Sequence, residues 1–494
     1  MKYVSTRDRM RTYTAAEAIV KGISDDGGLI VPSSFPVLNE AKFDALLGMD
    51  YPERVASILA DYLDDFSFEE LLGYANKAYS RFDGDPCPVV KVDDGLYMLE
   101  LWHGPTCAFK DMALTLLPHL MVASKRKLGD DCRTLILVAT SGDTGKAALE
   151  GFRDVEGTEI IVFYPVDGVS AMQKRQMITQ RGKNVHVAGI KGNFDDAQTA
   201  VKKVFTDPDA VARLKARGIE MSSANSINWG RLAPQIAYYV SAYCDLVNAG
   251  EIEQGERINF VVPTGNFGNI LAGYYAYRMG LPVHKLIVAS NANNILTDFF
   301  STGSYDVERE FYKTMSPSMD ILVSSNLERL LFEVTGRDSV KMREIYAELA
   351  ETGRFELDLS ELDLSVFEAG WASEEETKET IATFFDLDEE GYVLDPHTAV
   401  AVSVYNEYSL ETDDETPTVI VSTASPYKFA CDVYNAIAGA HEKDSDKAVT
   451  KLQLFTAAEC PSAIAELDSL PVRHTTVIER EDVKKAVFDF VAGE

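Results

Sequence analysis

The stretch INFVVPTGNFGNILAGYYAYRMG, residues Ile258 to Gly280, decides how this chain is read. A short apolar run, INFVVP, passes through TGNFG into a periodic segment that closes on a glycine. A continuous apolar strand that leads straight into a helix is the repeating unit of a parallel sheet buried on both faces. The pattern recurs along the chain. TLILVAT precedes GKAALEGF, TEIIVFYP precedes SAMQKRQMIT, NVHVAGI precedes DDAQTAVKKVF, and IEMSSAN precedes GRLAPQIAYYVSAYCDLV. Further on, KLIVASN precedes NNILTDFF and TVIVSTA precedes YKFACDVYNAI. Together these units predict an α/β fold with more strands than a single sheet holds.

Ligands of such sheets bind beyond the carboxyl ends of the strands, so the loops there are where chemistry is expected. Four stand out. VPTGNFGN, Val262 to Asn269, brings Gly265 and Gly268 to the start of a helix, where backbone N–H groups and the helix dipole favour a phosphate. A tight strand-to-helix turn would account for the same glycines. ATSGDTGKAA, Ala139 to Ala148, resembles a P-loop only superficially: two residues separate Gly142 from Gly145, and Ala147 stands where a magnesium-binding hydroxyl belongs. Its small polar residues suit a carboxylate, and an N-cap at Ser141 or Asp143 is the structural alternative. SSANSINWGRLAPQ, Ser222 to Gln235, combines short polar side chains with Arg231 and suits an anion, although Asx-type turns explain the same residues. VSTASPYKF, Val421 to Phe429, leaves Thr423 and Ser425 at a strand end, as partners for a heterocycle or as helix caps.

Against these loops, LWHGPTCAFKDMALTLL, Leu101 to Leu117, acquires a meaning. Its single lysine, Lys110, sits among apolar residues, where an ammonium loses its proton more readily and becomes a nucleophile able to hold an aldehyde.

Composition narrows the classes. With 494 residues, 46% hydrophobic and 25% charged, the chain reads as a globular protein of two to three domains. No apolar run is long enough to span a membrane, and the polar N-terminus lacks the core of a secretory signal, so a cytoplasmic location is expected. The six cysteines form no CxxC pair, which disfavours a zinc site or a disulfide framework. A net charge of -31 disfavours nucleic acid and anionic membranes as partners and leaves small molecules. Monomer and dimer both stay open.

The chain divides, on this reading, into a helical N-terminal domain (residues 1–90) and a catalytic α/β region (91–440) followed by a C-terminal extension (441–494). The catalytic region holds two subdomains, the smaller at about 125–220, and an acidic helical insertion at about 338–390.

HGPTCAFKDMAL, ATSGDTGKAA, NSINWGR, PTGNFGNILAGY, DPHTAVA and STASPYKF, in this order, resemble the threonine synthase family, pyridoxal-phosphate enzymes of fold type II related to the tryptophan synthase β chain. The opening MKYVSTRDRMRTYTAAEAIVKGISDDGGLIVPSSFP is similar to that family too, and the length resembles its longer yeast and bacterial subgroup. The resemblance implies two open, mostly parallel sheets covered by helices. It implies that Lys110 forms the internal aldimine with pyridoxal 5'-phosphate, that Gly265, Asn266, Phe267, Gly268 and Asn269 wrap the cofactor phosphate, and that Thr423 meets the pyridine nitrogen. Asp143 stands near the cofactor, where many fold type II enzymes carry asparagine; an acid beside a phenolate is expected to be protonated, water-bridged or turned away. Ser141, Gly142 and Thr144 would line the substrate carboxylate, and Lys146, Asn225, Ser226, Asn228 and Arg231 are candidates for the substrate phosphate. His103 and His397 read as turn and helix-start residues.

The activity implied is the conversion of O-phospho-L-homoserine and water to L-threonine and phosphate, a carbon–oxygen lyase reaction and the last step of threonine biosynthesis. The alternative is another fold type II β-eliminase such as a serine or threonine deaminase, which needs no phosphate site on the substrate side. A catalytically dead metabolite-binding protein is the remaining class, and an intact Lys110 argues against it.

Overall fold

In the computed structural model of the protein, residues 1–140, 142–387 and 391–492 are described. Ser141, residues 388–390 of the expected insertion and residues 493–494 of the expected extension lie outside them.

Two sheets carry the site. The larger has six strands in the spatial order Phe367–Trp371, Val283–Ser290, Ile258–Pro263, Thr418–Ser422, Leu96–Glu100 and Val89–Asp93. All neighbours run parallel except the last pair, Val89–Asp93 against Leu96–Glu100. The smaller is wholly parallel, in the order Val477–Glu479, Val185–Lys191, Thr158–Pro165, Arg133–Ala139 and Ile219–Ser222. Every residue of Ile258–Pro263, Thr418–Ser422 and Thr158–Pro165 is buried, as strands covered by helices on both faces require.

Three parts of the sequence reading need correction. Residues 1–90 are not purely helical: Thr12–Tyr13, Tyr3–Ser5 and Ile30–Pro32 form a small antiparallel sheet. Strands of two or three residues are too short to show alternation. The acidic stretch contains helices Ser339–Thr352 and Glu374–Leu387, but between them Phe367–Trp371 joins the edge of the larger sheet. The end of the chain is not a simple appendage either, since Val477–Glu479 extends the smaller sheet and Val483–Ala492 follows it as a helix.

The N-terminal segment braces the site from outside. Trp229, fully buried at the start of the long helix Trp229–Ala249, packs against the rings of Tyr3, Tyr62 and Tyr275. Arg7 makes a two-pronged pair with Glu328 (3.0 and 2.8 Å), and the buried Arg329 donates to the carbonyl of Ile30. Both contacts fix the start of helix Leu327–Val334, and with it the segment before that helix.

Candidate active site

Lys110 precedes the short helix Asp111–Leu114, and two backbone bonds lock its position. The N–H of Phe109 donates to the carbonyl of Thr423 (2.8 Å) and the N–H of Ser425 to that of Cys107 (3.1 Å), stitching the lysine loop to the end of strand Thr418–Ser422. Asp111 fastens the preceding turn by accepting from the N–H and the hydroxyl of Thr106, each at 2.7 Å, and burial raises its pKa to about 6. The Lys110 ammonium is buried, 4.9 Å from the ring centre of Phe109, and donates to Ser318 Oγ at 3.2 Å. Burial lowers its pKa to about 8, an effect that Asp143 offsets only in part.

Asp143 opens the helix Asp143–Phe152, where a carboxylate is favoured by the dipole. Its Oδ2 accepts from Ser318 Oγ (3.2 Å) and lies 3.9 Å from Lys110 Nζ. Its Oδ1 accepts from Lys428 Nζ at 2.9 Å and from Gln173 Nε2 at 3.3 Å. Burial alone would push this acid up, but Lys428 and Lys110 outweigh it and hold the carboxyl well below the usual range. Gly142 permits the approach: its φ is +144°, and a Cβ there would stand 2.3 Å from the Gln173 amide carbon.

The loop after strand Ile258–Pro263 turns sharply at Phe267, a non-glycine residue with φ +60°. Its ring packs near Phe300 and Phe367, which anchors that conformation. Among the described residues, the N–H groups of Gly265, Asn266, Phe267, Gly268 and Asn269 have no hydrogen-bond acceptor. Their carbonyl sides are held instead: Ser324 Oγ donates to the Gly265 carbonyl (2.7 Å), and Asn326 donates to that of Asn266 from its backbone N–H and its amide (both 3.1 Å). A Cβ at Gly265 would lie 2.9 Å from the Ser318 carbonyl, so glycine lets this loop meet the strand-free segment that carries Ser318. Asn269 gives its side-chain oxygen to Tyr238 and Tyr239 (2.6 and 2.7 Å), and its buried amide nitrogen has no partner among the described residues.

Arg231 is buried in the first turns of helix Trp229–Ala249. It donates to the Ala224 carbonyl at 2.8 Å; among the described residues no carboxylate pairs with it, burial lowers its pKa to about 10, and its charge is felt at Lys110. Ser226 faces Ser325 at 3.4 Å, and Asn225 is exposed. Thr423 is buried and Thr144 half-buried, and neither hydroxyl has a hydrogen-bond partner among the described residues.

Two candidates are drawn away. Lys146 bonds to Gln180 and to Glu150 (3.4 Å), where it offsets a buried acid. Asn228 caps the long helix by accepting from the Gly230 N–H (2.8 Å), and its amide is spent on the carbonyls of Ile19 and Ser223 (3.0 and 3.3 Å). The charge of Lys146 is thus taken up by Glu150, and both amide protons of Asn228 are used within the fold.

Ser318, Lys428 and Gln173 were not foreseen. Ser318 lies in a single 3-10 turn, Pro317–Met319, too short to show periodicity, whereas Lys428 sits inside STASPYKF and was legible as a cation beside a strand end. His397 is the second residue of helix Pro396–Thr412, as expected of a helix-start histidine. It also holds Ser318 in place. Its Nδ1 pairs with Asp395 (2.7 Å) while its Nε2 accepts from the Ser318 N–H (3.2 Å), which fixes the tautomer.

A buried amine of lowered pKa beside a cluster of unsatisfied N–H groups at a helix start fits a phosphorylated aldehyde, with the amine for the carbonyl and the N–H groups for the phosphate. Known proteins agree. The family profile described as "Pyridoxal-phosphate dependent enzyme" matches residues 87–424, flanked by "Threonine synthase N terminus" at 2–79 and "Threonine synthase, C-terminal" at 398–488. The chain is 36% identical to threonine synthase of Pseudomonas aeruginosa, over 99% of this chain and 98% of that protein. It is 39% identical to human threonine synthase-like 1 over 94% of its own length, and the match spans about 62% of that longer relative. The crystal structure of the PLP-bound threonine synthase from Brucella melitensis superimposes with a TM-score of 0.88 at 37% identity, covering 100% of this chain and 99% of that one. The chain belongs to the threonine synthase family of fold type II pyridoxal-phosphate enzymes.

Proposed function

We propose that the protein is a threonine synthase, converting O-phospho-L-homoserine and water to L-threonine and phosphate, with pyridoxal 5'-phosphate bound covalently at Lys110. The observation that carries the reading is the joint placement of a buried, weakly basic Lys110, an N–H-lined turn from Gly265 to Asn269, and a buried Arg231 that no described carboxylate neutralises. A deaminase would have no use for that guanidinium. A cytoplasmic location goes with this reading, supported by six cysteines that are all free.

The N–H groups of Gly265 to Asn269 would hold the cofactor phosphate, and Thr423 would face the ring nitrogen. When bound, the cofactor supplies an electron sink for carbanions on the substrate. Lys110 Nζ is the group placed to move protons: with a pKa near 8 it is partly neutral at working pH, so it can both take and return one. Ser318 Oγ, which accepts from Lys110 and donates to Asp143, aims that nitrogen. Gly142 and Thr144, together with Ser141, are assigned to the substrate carboxylate. Arg231, with Ser226 and Asn225 from the loop that leads into its helix, is assigned to the substrate phosphate.

Over the reaction the Cγ–O bond to phosphate breaks and a proton returns to Cγ. Cβ loses a proton and gains the hydroxyl of water, while the Cα proton is taken and restored. The burial of Lys110 keeps bulk water from intercepting these transfers. The test is an endpoint assay of the cofactor-loaded protein with O-phospho-L-homoserine, measuring threonine and phosphate together. Equal amounts of both are expected. Phosphate accompanied by a keto acid, or no turnover at all, would overturn the assignment.

A further inference from the structure

Lys428 has no part in the proposed reaction, yet its side chain is completely buried. An ammonium taken from water costs several kcal/mol unless it is paired. It has two acceptors, Asp143 Oδ1 and the Thr106 carbonyl, each at 2.9 Å. The carboxylate it holds is the one that faces the reactive amine. Asp143 therefore spends one oxygen on Lys428 and Gln173 and the other on Ser318, while Lys110 stands off at 3.9 Å. Ser318 cannot drift, because its N–H is held by His397 and that ring by Asp395.

Without Lys428, Asp143 would have Lys110 as its nearest cation, and a carboxylate with no other cation in contact keeps the proton on a neighbouring ammonium. The amine would then be a poor base and a poor nucleophile. Lys428 is closer to the acid and occupies it.

We propose that Lys428 is a positioning residue, clamping Asp143 so that the carboxylate orients Lys110 through Ser318 without forming a tight ion pair with it. The proposal rests on the reading of Lys110 as the reactive amine. The charged groups that bear on Lys110 are Asp143, Lys428, Arg231 and Asp111, and His397 acts on Asp143 from the helix packed beside it. Of these, Lys428 and Asp143 alone are in direct ionic contact with each other, so their charges are expected to cancel when both are removed.

The test is a pH titration of the visible absorbance of the bound cofactor in the holoenzyme, with kcat and KM measured alongside, for Lys428→Gln, Asp143→Asn and the double variant. Glutamine keeps a donor for the Thr106 carbonyl and deletes the charge. Lys428→Gln is expected to raise the titration midpoint by about one pH unit and to lower kcat about tenfold, with KM changed by less than about threefold. Asp143→Asn is expected to lower the midpoint. The double variant is expected to return it to within about 0.3 units of the parent. A Lys428 that only fills space would leave the Lys428→Gln midpoint at the parent value and the double-variant midpoint at that of Asp143→Asn, and either result overturns the proposal. If Lys428→Gln does not fold, Lys428→Met, which keeps the buried volume and deletes the charge, takes its place: a raised midpoint supports the clamp, an unchanged one contradicts it. Shifted midpoints in a protein that makes no threonine would sink the proposed function alone. Unshifted midpoints in an active protein would sink this inference alone.

Discussion

Asp143 and Glu150 lie two turns apart on one helix, both buried and both beside cations, and the contrast between them separates architecture from chemistry. Glu150 sits in the last turn, where the helix dipole disfavours an anion, and burial adds to that cost. Lys146, Arg81 and Arg153 outweigh both effects and hold its pKa below the usual value. Each is in direct contact: Arg153 at 2.5 Å, Lys146 at 3.4 Å and Arg81 closer still, with Gln180 donating at 2.7 Å. Asp143, in the first turn, has one such contact, to Lys428. Lys110 stays a hydroxyl's width away, and Arg231 is left without a described acid. A saturated charge cluster ties elements together; an unsaturated one retains groups for a ligand.

Replacing Lys110 breaks the contrast most severely. Lys110→Met should reduce threonine formation by about a thousandfold or more, measured as initial rate with saturating cofactor. The cofactor-free fold should not suffer. The folded pKa lies near 8 against 10.5 for a free lysine, so below pH 8 the folded state carries an ammonium at a cost. That cost disappears as the pH rises from about 8 towards 10.5. At pH 7 the variant should therefore be more stable than the parent, by about 2 kcal/mol in denaturant titrations.

Glu150→Gln tests the other side. It strands three cations and should cost about 3 kcal/mol of stability, seen as a lower melting temperature. The pH at which Lys110 of the cofactor-free protein becomes reactive toward an acylating reagent should stay near 8 in this variant. Arg231→Met should lower kcat/KM for the phosphorylated substrate about a hundredfold, with no loss of thermal stability, since its guanidinium is buried without a described counter-ion. The smallest effect belongs to Asn228→Ala. Loss of a helix cap should cost about 1 kcal/mol, and calorimetry rather than KM should register it.

The same contrast explains what could be read without coordinates. The strand–loop–helix units were legible because parallel strands buried on both faces leave continuous apolar runs, and Gly265 and Gly268 marked the turn where N–H groups are free. Lys110, between Phe109 and Asp111 in a mostly apolar stretch, was legible only in the company of the glycine turn and the polar strand-end loops. What stayed hidden depends on distances between separate segments. Nothing in ATSGDTGKAA shows that Lys146 turns toward Glu150 while Asp143 turns toward Lys428, or that Asn228 spends its amide on Ile19. Ser318 was invisible for a related reason: it lies in a single 3-10 turn, Pro317–Met319, too short to leave a pattern, and its place follows from His397 and from the N-terminal segment that braces the adjoining helix. The edge strands Phe367–Trp371 and Val477–Glu479 were missed because each is short and is completed only by its partner strand.

The central claim, that Lys110 and not another buried lysine is the reactive amine, can be tested directly. The holoenzyme is reduced with borohydride, digested, and the peptide bearing the pyridoxyl group is located by mass spectrometry. A single labelled site at Lys110 is expected. A label on Lys428 or Lys146, or none on any lysine, would contradict the claim.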